Sequence, residues 1–127
     1  MIFLDTSYLI AFFVGREENH ERAVEIAKII KNEEKIISKL VIAETITVLE
    51  KKLQTKDIVK IYDTLKDFTT SEDSRLFDEA FKHFLKYDGE ISFFDAVYIA
   101  IMEDFRIHQI VSFDSDFNNK KGIVVIS

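Results

Sequence analysis

Short apolar runs alternate along this chain with segments whose apolar residues recur every three or four positions, which predicts strands separated by helices. Ile2-Phe3-Leu4, Ile36-Ile37, Ile110-Val111 and Ile123-Val124-Val125-Ile126 are continuous apolar runs. Such runs suit strands covered on both faces, as in a parallel sheet. Between them Ala23, Ile26, Ala27 and Ile30 keep helical spacing, as do Ile42, Ile46, Leu49 and Leu53. The same spacing returns in Ile58, Ile61, Tyr62, Leu65 and Phe68, and again in Phe77, Ala80, Phe81 and Phe84. A further helix is predicted from Ser92 to about Phe105, with Phe94, Val97, Tyr98 and Ile101 on one face. Buried strands alternating with helices predict an α/β fold with a central, mainly parallel sheet. Ligands of such sheets sit at the carboxyl ends of the strands. Asp5 directly follows the first run and Asp114 follows the Ile110-Val111 run, so both are candidates for chemistry.

Composition narrows the picture. The 127 residues fit one domain, 1–127, and proline is absent while glycine occurs only at Gly15, Gly89 and Gly122, leaving no linker or low-complexity tract. With 47% hydrophobic and 31% charged residues the chain can fill a core and cover a soluble surface. There are no cysteines, so disulfides and thiolate metal sites are excluded and any metal needs oxygen or imidazole ligands. No run approaches the roughly 18 apolar residues of a membrane span, and Asp5 interrupts the N-terminal apolar stretch where a secretory signal would continue. These features predict a cytoplasmic protein. The net charge of −6 argues against a protein that chiefly coats nucleic acid, yet an acidic metal site would contribute to that total.

Four carboxylates stand beside apolar positions. Asp5 and Asp114 follow strands, Glu44 lies one helical turn from Leu40 and Val48, and Asp95 lies near Ile91, Tyr98 and Ile99. A buried unpaired carboxylate costs several kcal/mol or takes up a proton. The lysines offer no obvious partners, since Lys51, Lys52, Lys56 and Lys60 fall where helices face water. A hard cation, Mg²⁺ or Mn²⁺, would compensate the acids with ligands it prefers. His20, His83 and His108 have no mutual metal-ligand spacing and suit surface or edge positions. Each acid also has a plainer reading. Asp5-Thr6-Ser7 can cap a helix through Tyr8 to Val14, and Ser92-Phe93-Phe94-Asp95 matches a capping box. Glu44 can be a boundary residue whose carboxylate reaches water, and Phe113-Asp114-Ser115-Asp116-Phe117 can be an ordinary turn.

The order of the four segments is more specific than any one of them. Ile2-Phe3-Leu4-Asp5-Thr6-Ser7, Val41-Ile42-Ala43-Glu44-Thr45, Ser92-Phe93-Phe94-Asp95-Ala96-Val97-Tyr98-Ile99-Ala100 and Val111-Ser112-Phe113-Asp114-Ser115-Asp116-Phe117 together resemble the PIN domain, particularly the toxins of VapBC pairs. The resemblance covers essentially the whole chain. It implies a three-layer α/β/α sandwich whose acids gather around Mg²⁺ or Mn²⁺ to cleave RNA. It gives Asp5, Glu44, Asp95 and Asp114 the acidic positions, with the Thr6 or Ser7 hydroxyl in support. Asp116 stays open as an alternative to Asp114. It also implies a homodimer and a small antitoxin whose tail blocks the site.

Phosphodiester hydrolysis needs a nucleophile at neutral pH and neutralisation of charge on the phosphate, and a carboxylate-held cation supplies both. Asp5, Asp95 and Asp114 are expected to hold the ion, with Glu44 orienting ligands or the attacking water. In-line attack of this kind leaves a 3′-hydroxyl and a 5′-phosphate. Two other readings compete. A receiver-like signalling domain also places acids and Mg²⁺ at strand ends, but it needs a phosphoacceptor after a central strand and a late lysine. Here only Ser38-Lys39 follows the second strand. A catalytically silent binding module is the other, and the presence of all four acids speaks against it.

Overall fold

A computed structural model describes all 127 residues. Its elements run β1 (Ile2–Leu4), α1 (Thr6–Phe13), α2 (His20–Ile29), β2 (Lys35–Ser38), α3 (Lys39–Leu49), α4 (Thr55–Lys66), β3 (Thr69–Ser71), α5 (Phe77–Lys86), α6 (Phe93–Asp104), β4 (Gln109–Val111) and β5 (Val124–Ile126). The five strands form one parallel sheet in the order β3-β2-β1-β4-β5. β1 is central, with Phe3 opposite Ile36 on one side and Ile110 on the other. That position explains its unbroken apolar sequence, since Ile2, Phe3 and Leu4 are covered on both faces. Helix α1 packs on α2 and α3, and α3 on α4, while α5 packs on α6. Right-handed crossovers require this grouping, because the chain moves outward from β1 through β2 to β3 and then returns to the other side of β1.

The strand β3 carries no apolar run, so the hydrophobic pattern does not announce it. Thr69-Thr70-Ser71 lies at the sheet edge with Thr69 exposed, and its register against Ile36-Ile37-Ser38 supplies the pairing. The predicted first helix begins earlier than expected, at Thr6, and ends at Phe13. On α5 the periodic residues do not all face inward. Ala80 is buried, whereas Phe77, Phe81 and Leu85 remain 40%, 51% and 62% exposed. The amphipathic pattern there marks an apolar surface stripe as well as a core face. The receiver-like reading fails on topology, because receiver-like sheets follow the order 2-1-3-4-5.

The chain reverses its direction of travel across the sheet at β1 and β4. A crevice opens at their carboxyl ends, where β1 leads into α1 and β4 into the loop toward β5. Asp5 is the first residue beyond β1, and Asp114 is the third beyond β4.

Candidate metal centre

Asp5 has the extended backbone of an N-cap (φ −83°, ψ 155°), but its side chain caps nothing. Its carboxylate is used otherwise. Oδ2 accepts hydrogen bonds from the Ser7 hydroxyl at 2.7 Å and the Ser112 hydroxyl at 2.8 Å. The same two hydroxyls accept from the backbone beyond β4, Ser7 from the Phe113 N–H and Ser112 from the Asp114 N–H, each at 3.0 Å. Two serines therefore clamp the turn that carries Asp114 onto the end of β1, and Oδ1 of Asp5 keeps no hydrogen-bond partner. Of the two supporting hydroxyls suggested by sequence, Ser7 serves Asp5, while the buried Thr6 hydroxyl has no well-formed hydrogen bond.

Asp114, Asp116 and Asp95 bring one carboxylate oxygen each within 4.8 Å of one another. Asp114 and Asp116 owe their placement to the turn at Ser115–Phe117, where Asp114 Oδ1 accepts from the Asp116 N–H at 2.9 Å. The turn reading of this segment is thus correct and compatible with chemistry. Asp95 stands in the first turn of α6, whose N-cap Ser92 accepts from the Asp95 N–H at 3.1 Å. Only this half of the expected capping box forms, and it uses the Asp95 backbone. The Asp95 carboxylate faces the other acids, with the Ser92 hydroxyl also beside it.

Glu44 projects from α3 toward the same cavity and is half-buried. Its Oε1 accepts from the buried Tyr98 hydroxyl at 3.1 Å. Asp5, Glu44, Asp95, Asp114 and Asp116 all line one open cavity of about 580 Å³, together with Thr6, Ser7 and Ser92. Four elements separated widely in sequence thus contribute to one concave surface. The three histidines are elsewhere. His20 and His108 meet the Ala11 and Gly122 carbonyls, and His83 pairs with Glu103.

The electrostatics are those of an uncompensated anionic site. Asp5 is only 3% exposed and Asp95 only 5%. Burial pushes the Asp5 carboxyl above its usual range, against the lowering effect of the Ser7 and Ser112 hydrogen bonds, while Glu44 and Asp114 add repulsion. Asp95 is pushed up to about 8, first by burial, then by hydrogen bonding of its acid form to Asp116 and by the charges of Asp5 and Asp114. Glu17 and Glu18 also line the cavity and Glu17 pairs with Lys52 at 2.8 Å, but no ion pair of the chain involves Asp5, Glu44, Asp95, Asp114 or Asp116. A hard divalent cation fits this donor set, which is all oxygen, anionic and without a protein counter-charge.

Comparison with known families completes the picture of the site. The model of the PIN domain matches residues 2–123. The chain belongs to the PIN-domain family. Its fold recurs in several solved PIN-like structures. VapC20 from Mycobacterium tuberculosis, a toxin that cleaves the sarcin-ricin loop, superposes with a TM-score of 0.82 at 24% identity, covering 91% of this chain and 92% of that one. A toxin-antitoxin complex from Klebsiella pneumoniae gives 0.78 at 19% identity, with 98% and 96% coverage. FitAcB from Neisseria gonorrhoeae gives 0.69 at 17% identity, with 100% and 97% coverage. No match is found among curated protein sequences. No helix of this PIN domain is long and apolar enough to cross a membrane.

Sequence reasoning missed Ser112 and Tyr98 as partners of the acids, and it left Asp116 only as an alternative to Asp114. The Ser112 contact spans 107 positions, and the Tyr98 contact spans 54. Nothing local marks either one. Asp73 was also missed. It is a buried carboxylate outside the cavity that accepts from the Ser38 and Ser71 hydroxyls and so joins the ends of β2 and β3.

Proposed function

We propose that this PIN domain is a divalent-metal-dependent endoribonuclease and the toxin of a VapBC-type toxin-antitoxin pair. The observation that carries the proposal is the convergence of Asp5, Glu44, Asp95 and Asp114, with Asp116, on one cavity where none of these five is paired with a protein cation. Asp95, Asp114 and Asp116 would hold Mg²⁺ or Mn²⁺ together with Asp5, whose Oδ2 is already engaged by two serines. When bound, the ion lowers the pKa of water and neutralises charge on a phosphodiester. The Ser7 and Ser112 clamp fixes the distance between Asp5 and the Asp114 turn, so the acids are set in place before substrate arrives. Glu44, held from one side by Tyr98, orients the attacking water or the ligand set from the α3 wall of the cavity.

RNA as substrate is supported by the likeness to a toxin that cleaves the sarcin-ricin loop, and an antitoxin partner by the likeness to a toxin-antitoxin complex. The resemblance to VapC-type toxins extends the proposal to a cytoplasmic homodimer. The test is cleavage of a mixed-sequence RNA with Mg²⁺ or Mn²⁺, with EDTA, and with the Asp5→Asn protein. Metal-dependent products bearing a 5′-phosphate and a 3′-hydroxyl, lost with EDTA and in Asp5→Asn, are expected. A folded protein that binds RNA without cutting it under any of these conditions would instead make the domain a silent binding module.

A further inference from the structure

One contact in the cavity wall is not accounted for by holding an ion. Tyr98 lies on α6 one turn beyond Asp95, is fully buried, and packs its ring on Phe3 with centroids 5.3 Å apart. An apolar aromatic would satisfy that packing. The hydroxyl nevertheless reaches across to α3 and gives its hydrogen to Glu44 Oε1, which is the sole side-chain hydrogen bond of Glu44. The Thr6 hydroxyl, buried and without another partner, lies beside the phenol oxygen from α1. One phenol thus meets polar groups from two other elements, and without it the buried Thr6 hydroxyl would face an apolar ring. A buried hydroxyl without an acceptor is unfavourable, so the phenol needs Glu44, while Glu44, half-buried at the cavity, takes its orientation from the bond.

We infer that Tyr98 is a positioning residue, which fixes the Glu44 carboxylate of α3 relative to Asp95, since Tyr98 and Asp95 share the rigid helix α6. Because Tyr98 is wedged between Phe3 of the central strand and Glu44, its oxygen moves only if the core moves. Glu44 alone is the tip of a flexible side chain on a half-buried face, and its useful orientation is one of several rotamers. The phenol selects that rotamer. Displacement of such a group by about 1 Å is enough to cost roughly 100-fold in rate.

This inference rests on the nuclease reading for its consequence but not for its geometry, and the experiment separates the two. Tyr98→Phe, Glu44→Ala and the double variant are unfolded with denaturant in EDTA, and each is assayed for RNA cleavage with Mn²⁺. In EDTA the single losses should not add, with a coupling of about 3- to 10-fold in the unfolding equilibrium constant. In cleavage, Tyr98→Phe should lower kcat by about 10- to 100-fold with little change in KM, and should cost nothing further in the Glu44→Ala background. Mn²⁺ affinity by calorimetry should stay within a few-fold of the parent, because Tyr98 touches no proposed ligand. Additive losses in EDTA would overturn the inference whatever the activity. Wild-type turnover in a folded Tyr98→Phe protein, or a multiplicative loss in the double variant, would overturn it as well. A parent protein that cuts no RNA while the coupling persists would defeat the nuclease reading and leave Tyr98 as the residue that orients Glu44.

Discussion

Replacing Asp95 with Asn removes one charge from the acidic cavity while preserving the bond that caps α6, because the Ser92 hydroxyl accepts from the Asp95 backbone N–H and not from its side chain. The amide also keeps a donor for Asp116. In the metal-free protein Asp95 holds its proton up to about pH 8, whereas the unfolded chain ionises near 3.8. Between those values the folded state binds more protons than the unfolded state, so stability falls as pH rises from about 4 to about 8 and is level beyond. Each pH unit of that gap is worth about 1.4 kcal/mol. The whole gap is an upper bound, since the acids share the proton among them and the cavity is open to water. The expected gain for Asp95→Asn in EDTA is therefore about 1–3 kcal/mol at pH 8, shrinking toward zero at pH 4. For a chain of this size that is roughly 3–5 °C in Tm per kcal/mol. Denaturant unfolding of both proteins at the two pH values measures it directly. With Mn²⁺ the order should reverse, because the parent gains stability from the ion and the variant loses a ligand, and RNA cleavage should fall by orders of magnitude. A variant less stable than its parent at pH 8 in EDTA, or a difference equal at both pH values, would refute the reasoning and make Asp95 a structural residue.

Two further outcomes follow from the same geometry. Mg²⁺ or Mn²⁺ at about 100 times its dissociation constant should raise the stability of the parent by about 2.7 kcal/mol, read as a shift in Tm by calorimetry, and Asp5→Asn should show a much smaller shift. Asp73→Ala should lower stability by about 1–3 kcal/mol in denaturant unfolding, since it strips the acceptor from the Ser38 and Ser71 hydroxyls. Its cleavage rate per folded molecule should match the parent, because Asp73 does not line the cavity.

Most of the strands that could be read in the sequence have two-sided burial; the Ile123-Val124-Val125-Ile126 run reads in the same way, but β5 is an edge strand, only partly covered, with Val124 58% exposed. Ile2-Phe3-Leu4 and Ile110-Val111 stand out because β1 and β4 are covered above and below. Thr69-Thr70-Ser71 does not stand out, because its residues are polar and its main-chain pairing with β2 leaves no apolar signature. The acids were legible for a related reason, since a carboxylate next to core positions is conspicuous in any sequence. Their partners were not. Ser112 and Tyr98 look like an ordinary turn serine and an ordinary core aromatic until the sheet brings them against Asp5 and Glu44. The plainer readings failed and succeeded by atom: Asp5 makes no cap, Asp95 joins the cap of α6 through its backbone N–H, and Asp114 does shape its turn. The exposed phenylalanines of α5 mark the limit of periodicity, which locates an apolar face without saying whether the protein's own core covers it.

The place of β1 in the middle of the sheet has a consequence for how the molecule comes into being. The strand made first is sealed on one side by β2 but waits on the other for β4, which begins at Gln109. Until then Asp5 faces neither the Ser112 hydroxyl nor the Asp114 turn, and α6 has no sheet edge to complete its side of the crevice. While the residues between β1 and β4 are being made, at about 5–20 residues per second, the acids stay apart. On the nuclease reading proposed above, the chain would be inert beside the RNA-rich machine that makes it, and would arm itself only as β4 seats. Truncated chains that stop short of β4 would never arm at all.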